Sequence, residues 1–136
     1  MLLVAASLWL EEGEVVTLVT TDDQGQEFET GLWIVDLDGV PYLRAESADA
    51  SWLDRIRARS DVQLDRAGRR FAYRAIPLDD AKIREAVNQA MDEKYGGLDR
   101  VLVWIWDHSG AVPIRLDRLP TANSMPHSDL RVGAVR

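Results

Sequence analysis

The Asp38-Gly39 pair, set between the apolar runs 28–37 and 40–46, constrains this chain more than any other feature. Asp-Gly is favoured where a two-residue hairpin turn needs positive φ, so it holds the flanking runs antiparallel and in a defined register. Residues 14–21, rich in valine and threonine and closed by the Asp22-Asp23-Gln24-Gly25 turn cluster, read as a strand ahead of them. These strands form a meander. A second hairpin is expected where Val62 and Leu64 lead through Ala67-Gly68 into residues 69–78, in which Phe71 and Tyr73 alternate with Ala72 and Arg74. Residues 111–118 supply a last strand, and the pattern predicts a mainly β, antiparallel protein.

Two helical segments interrupt the strands. The longer follows Pro77, with Asp79 or Asp80 as N-cap, Ile83, Val87, Ala90, Met91 and Tyr95 at helical spacing, and a Gly96-Gly97 stop. The shorter spans about 50–59, is capped by Asp49 or Ser47, and carries Trp52 with the first of a series of arginines. At about 100° per residue, Arg55 and Arg59 flank Trp52 while Arg57 points away. The segment 98–106, with its unbroken apolar run 101–106, suits a buried helix or a buried strand, with the helix preferred. Residues 1–10 are apolar, too short to span a bilayer, and without a basic start or cleavage pattern. They suggest a short amphipathic helix. The 136 residues thus predict one domain over 1–119, including an N-terminal helix in 1–12, and a polar tail, 120–136, packed on it or on a partner.

A net charge of −7 argues against nucleic acid and anionic membrane as partners. The absence of cysteine excludes disulfides, thiolate nucleophiles and cysteine-ligated metal, and the cytoplasm is the default compartment. His108 and His127, the only histidines, have no metal-ligand spacing. Asp107-His108-Ser109 has the residue types of a hydrolase triad, yet sequence neighbours point apart, and a turn explains them. Carboxylate pairs lie at element ends, where caps and turns account for them. No glycine-rich phosphate loop is present. Seven arginines between Arg55 and Arg74 face only Asp61 and Asp65, which fits solvated faces first and a small anionic ligand second. Of the five tryptophans, about one should line a pocket.

After strand, strand, Asp-Gly hairpin and strand comes SADASWLDRIRARSDVQL, residues 47–64. This order resembles the flavin-binding split-barrel superfamily typified by pyridoxamine-phosphate oxidases and deazaflavin-dependent reductases. Its members show a strand ending in serine, a short gap, then a helix of the type W-x-x-N-L-x-A-x-P-x-V-x-L. Trp52, Ile56, Ala58, Val62 and Leu64 fall on that spacing, and the likeness extends over 14–119. The resemblance implies a six-stranded antiparallel split β-barrel, Greek-key-like, with one helix after the third strand and a longer one after the fifth. It further implies a cytoplasmic homodimer binding a small molecule, FMN or a deazaflavin, in a groove near the subunit boundary, and a small oxidoreductase. Arg44, Ser47, Trp52 and Arg55 match the positions that meet the cofactor phosphate; Thr30, Leu32 and Trp33 match neighbours of the ring. The chain departs from the pattern in three ways: the helix asparagine is Arg55, Glu46 adds a negative charge, and the usual lysine after the third strand is missing. Arg55 is expected to act as the phosphate ligand or to pair with Glu46 or Asp49, and Arg74 to face Asp65 in preference to approaching the site from the partner subunit. Trp104-Ile105-Trp106 is the candidate dimer patch. The rival reading is a cofactor-free dimeric binding or assembly module that keeps the barrel without the phosphate site.

Overall fold

The computed structural model describes residues 13–96 and 110–120. Its elements run β1 (Val16–Thr21), β2 (Glu27–Leu32), β3 (Ile34–Leu37), β4 (Val40–Ala45), α1 (Ser51–Ala58), β5 (Asp61–Arg66), β6 (Arg69–Pro77), α2 (Ala81–Tyr95) and β7 (Val112–Arg118). The strands form one antiparallel sheet of seven in the order β2-β1-β5-β6-β7-β4-β3. Six strands were expected, and the difference lies at one residue. The run 28–37 is interrupted at Trp33: β2 pairs with β1, Val16 opposite Leu32, while β3 pairs with β4, Ile34 opposite Leu43. Segments joined through Trp33 therefore sit at the two ends of the sheet order, which curls the sheet into a barrel. Alternation survives the joint. Leu32 and Ile34 pack with the barrel core, whereas Trp33 and Val35 pack with an outer cluster.

Both hairpin turns take the expected form, with positive φ at Asp38 (52°) and Gly39 (79°), and at Ala67 (52°) and Gly68 (78°). The second turn sets Arg66 opposite Arg69, and counting along the ladder places Asp65 opposite Arg70 and Asp61 opposite Arg74. Arg74 thus meets Asp61, at 3.6 Å, and not Asp65, which Arg70 holds at 2.6 Å.

Leu18, Ile34, Leu43, Leu64, Ile114 and Leu116 fill the barrel, and Trp52, Leu53 and Ile56 of α1 pack into the same core. Full burial of such side chains contributes roughly 1.5–3 kcal/mol each. Helix α2 lies outside, with Val87, Met91 and Tyr95 against Val35, and Trp33 and Tyr42 packed beside them. Asp80 caps α2: its Oδ1 accepts from the amides of Lys82 at 2.9 Å and Ile83 at 3.1 Å. Helix α1 differs. Its N-cap is Ala50, which supplies no side-chain bond, so neither Ser47 nor Asp49 fills the expected role; Ser47 Oγ instead accepts from the Asp49 amide at 3.3 Å.

The expected N-terminal helix, the run 98–106 with its tryptophan patch, Asp107-His108-Ser109 and the tail from 121 onward lie outside the described residues. Among the described residues, no helix is long and apolar enough to cross a membrane, and no group of three or more His, Asp or Glu could hold a metal ion.

Candidate functional site: a cleft at the Trp33 joint

The interrupted strand, the end of β4 and the first turn of α1 meet around a cleft of about 360 Å³. Of the seven positions expected to meet a cofactor, five line it: Leu32, Trp33, Arg44, Ser47 and Trp52. Met91 of α2, Glu46, Val15, Gly31 and Ala50 also line it. Each arrives by a different route. Leu32 and Trp33 flank the ladder break. Arg44 occupies the outward position between the inward Leu43 and Ala45 and so lies on the sheet face that α2 covers. Trp52 is mostly committed to the core at 8% exposure.

The Trp33 ring is held flat by Tyr95, whose ring stacks on it at 4.2 Å between centroids and 5° between planes. Behind that stack a polar network fixes the joint. The Ile34 amide donates to the Tyr95 hydroxyl at 3.0 Å, and that hydroxyl donates to the Glu14 carbonyl at 2.7 Å, so the ladder break leaves no orphan at Ile34 N–H. Lys94 Nζ donates to Glu14 Oε1 at 2.6 Å and to the Ile34 carbonyl at 2.7 Å. Arg66 grips both Glu14 (Nε to Oε2, 2.9 Å) and Asp36 (Nη2 to Oδ2, 2.7 Å). Burial pushes the Glu14 carboxyl up, but the Arg66 and Lys94 donors outweigh it and hold the group below its usual range. Arg66, against the opposing effect of burial, likewise lowers Asp36. Burial drives the Tyr95 hydroxyl up to about 12, so it stays a neutral donor.

Arg44 is 5% exposed. Its Nη1 donates to Asn88 Oδ1 at 3.2 Å, and Nη2 lies 3.9 Å from Glu46 Oε1. A guanidinium is costly to bury, and these polar partners offset the cost. Among the described residues, the cleft therefore joins flat aromatic walls to one cation and one carboxylate.

Thr30 and Arg55 do not line it. Thr30 sits opposite Leu18 on the β1–β2 ladder. Arg55 Nε donates to the buried Thr20 Oγ1 at 2.8 Å, and its guanidinium lies 4.2 Å over the Phe28 ring. Three residues past Trp52, Arg55 is almost a full turn along α1, away from its N-terminus. The other arginines disperse as well: Arg66 to the Trp33 joint, Arg70 to Asp65 and Gln63, Arg69 over Phe71. Sequence reasoning missed the joint's support, since Tyr95 reads only as an apolar helical position and nothing local links it to Ile34.

No family model matches the chain, and no curated protein does. Solved structures do. The heme storage protein HutZ of Vibrio cholerae is similar at TM-score 0.63 and 15% identity, over 86% of this chain and 89% of that one. A Listeria innocua protein provisionally described as a pyridoxamine 5′-phosphate oxidase gives TM-score 0.59 and 12% identity over 85% and 90% of the two chains. An F420 reductase gives 0.55 and 18% over 83% and 91%. At these identities the likeness is one of fold. The chain adopts the split barrel of the pyridoxamine-phosphate oxidase-like proteins, with the second long strand broken in two.

Proposed function

We propose that this chain is a small flavin-dependent oxidoreductase that holds FMN or a deazaflavin in the cleft at the Trp33 joint. The carrying observation is the convergence of Leu32, Trp33, Arg44, Ser47 and Trp52 on one cleft. A flat ring suits walls of tryptophan, one of them locked by Tyr95, and an anionic headgroup suits the buried Arg44 fork. Its volume falls within the usual range for ligand sites, roughly 300–1,000 Å³. The flavin, when bound, supplies hydride or electron transfer. The chain's residues orient the ring, keep its face dry and balance its charge; an acid–base dyad is not required for that role. A cytoplasmic homodimer with the cleft near its boundary completes the reading, and the oxidoreductase role is in line with structural neighbours described as a reductase and an oxidase.

One observation favours the rival, a cofactor-free dimeric module. Glu46 stands 3.9 Å from Arg44 inside the same cleft and opposes a phosphate. Absorbance of the purified protein and titration with FMN, a deazaflavin and haem separate the two readings. Flavin colour, or saturable flavin binding that quenches tryptophan fluorescence, supports the first. A colourless protein indifferent to all of these supports the second.

A further inference from the structure

A second, larger groove, about 670 Å³, lies between the end of α1, the last residues of β6, the start of α2 and the start of β7. Its apolar lining includes Ile76, Pro77, Leu78 and Val112, each only partly buried. Among the described residues its charged lining is Arg57, Arg74, Arg84 and one carboxylate, Asp79. The local excess of positive charge stands out in a chain of net charge −7.

The three arginines are differently committed. Arg84 is anchored: its Nε donates to the Ala111 carbonyl at 2.8 Å, and its side chain is 25% exposed. Its link to Asp79 is long, 3.5 Å, and that carboxylate is fully exposed. Arg74 leans on Asp61 at 3.6 Å with both side chains more than half exposed, a pairing that water screens and a ligand can replace. Asp117, across the ladder from Arg74, is taken by Arg115 at 2.9 Å. Arg57 forms no ion pair among the described residues. One preset guanidinium and two that can turn toward an occupant, above a half-buried apolar floor, match the anatomy of a small-molecule site.

We propose that this groove binds an organic anion, a carboxylate or phosphate monoester on an apolar body, with Arg84 as the fixed anchor. The inference is independent of the flavin reading, because the two recesses share no lining residue.

The test is an NMR titration with 1-naphthyl phosphate, 2-naphthoate and inorganic phosphate, following the amides of Ile76, Leu78 and Val112 and the indole N–H signals of Trp33 and Trp52. Saturable shifts at the groove amides, with inorganic phosphate binding much more weakly, are expected. Naphthyl phosphate and naphthoate together tell whether the headgroup or only its charge is read. Arg84→Met should weaken binding about tenfold. Should that variant fail to fold after losing the Ala111 bond, the exposed Arg57→Glu should still weaken binding severalfold. Shifts confined to the indoles, no saturation by any aromatic probe, inorganic phosphate binding as tightly as naphthyl phosphate, or full affinity in Arg57→Glu and Arg74→Glu would each overturn the proposal.

Discussion

Two charged clusters flank the Trp33 joint, and they are built to different tolerances. On one side Glu14, Asp36, Arg66, Lys94 and Tyr95 are tied by a mesh of bonds of 2.6 to 3.3 Å, all but one of them 3.0 Å or shorter. On the other, Arg44 meets Asn88 at 3.2 Å and Glu46 at 3.9 Å. Charge-assisted bonds are strongest when short and well aligned, so the first cluster is matched to itself. The second sets an arginine in a cleft wall beside a more distant carboxylate. One strand break thus serves two purposes: the tight cluster keeps the joint in place, and the loose one gives it chemistry.

Removing the tight side should cost the most. Tyr95→Ala deletes the stack on Trp33 and the hydroxyl bridge together, and about 3–5 kcal/mol of stability should go in urea unfolding. Tyr95→Phe keeps the ring and orphans the Ile34 amide, costing about 1–3 kcal/mol. Full stability in Tyr95→Phe would mean that Lys94 alone secures the joint, and the contrast between the clusters would shrink.

The next comparison pits one arginine against the other. Arg66→Met leaves Glu14 and Asp36 facing each other without their shared cation, at a cost of about 1–3 kcal/mol, moderated because the side chains are partly exposed. Arg44→Met removes a buried cation and leaves Asn88 and the half-exposed Glu46 without it, at a comparable cost of about 1–3 kcal/mol. What sets it apart should be the ligand: FMN affinity drops about tenfold or more. Arg55→Ala should leave that affinity unchanged, since Arg55 serves Thr20 and Phe28. A reversed pattern would move the headgroup site off the cleft and onto the far end of α1.

Titration sharpens the same contrast. Glu14 and Asp36 have carboxyls held below their ordinary values of 4.5 and 3.8. Their stabilisation is complete above those values and is lost as pH falls below them and through the lowered folded-state values. Tyr95 runs the other way. Its hydroxyl, raised from 10.0 to about 12, contributes stability that is whole below 10 and is lost as pH climbs toward 12. Unfolding measured across pH should show both limbs, the acid one flattened in Arg66→Met and the alkaline one in Tyr95→Phe. An alkaline limb that persists in Tyr95→Phe would assign it to another group.

How far all this could be read from the chain depends on the range of the interaction. The Asp38-Gly39 and Ala67-Gly68 turns act over two residues, and the strands around them follow from local chemistry. The Arg74–Asp61 pairing was in reach too, because a two-residue turn fixes every partner along the ladder; facing Asp65 simply contradicts that count. The family spacing located five cleft residues because it records which backbone positions converge. It failed to anticipate the path of Arg55, since the register of a side chain against another strand is not written in its own helix. The break at Trp33 was hidden for a related reason: alternation continues through it, and only the change of pairing partner reveals it. The bridge from Tyr95 to Ile34 spans 61 positions, beyond any local pattern.

The smallest expected effect probes the loose cluster directly. Glu46 is about half exposed and near the limit of an ion pair with Arg44, so Glu46→Gln should leave stability within about 0.5 kcal/mol. If Arg44 reads a headgroup charge, the same change removes a repulsion, and FMN should bind a few-fold tighter at low salt, with the gain shrinking as salt screens the partly exposed site. Riboflavin, which lacks the phosphate, supplies the control: its affinity should not respond. Equal gains for both flavins would mean that Glu46 shapes the ring pocket, and no change in either would place the phosphate beyond the reach of position 46, leaving Arg44 as a structural cation under α2.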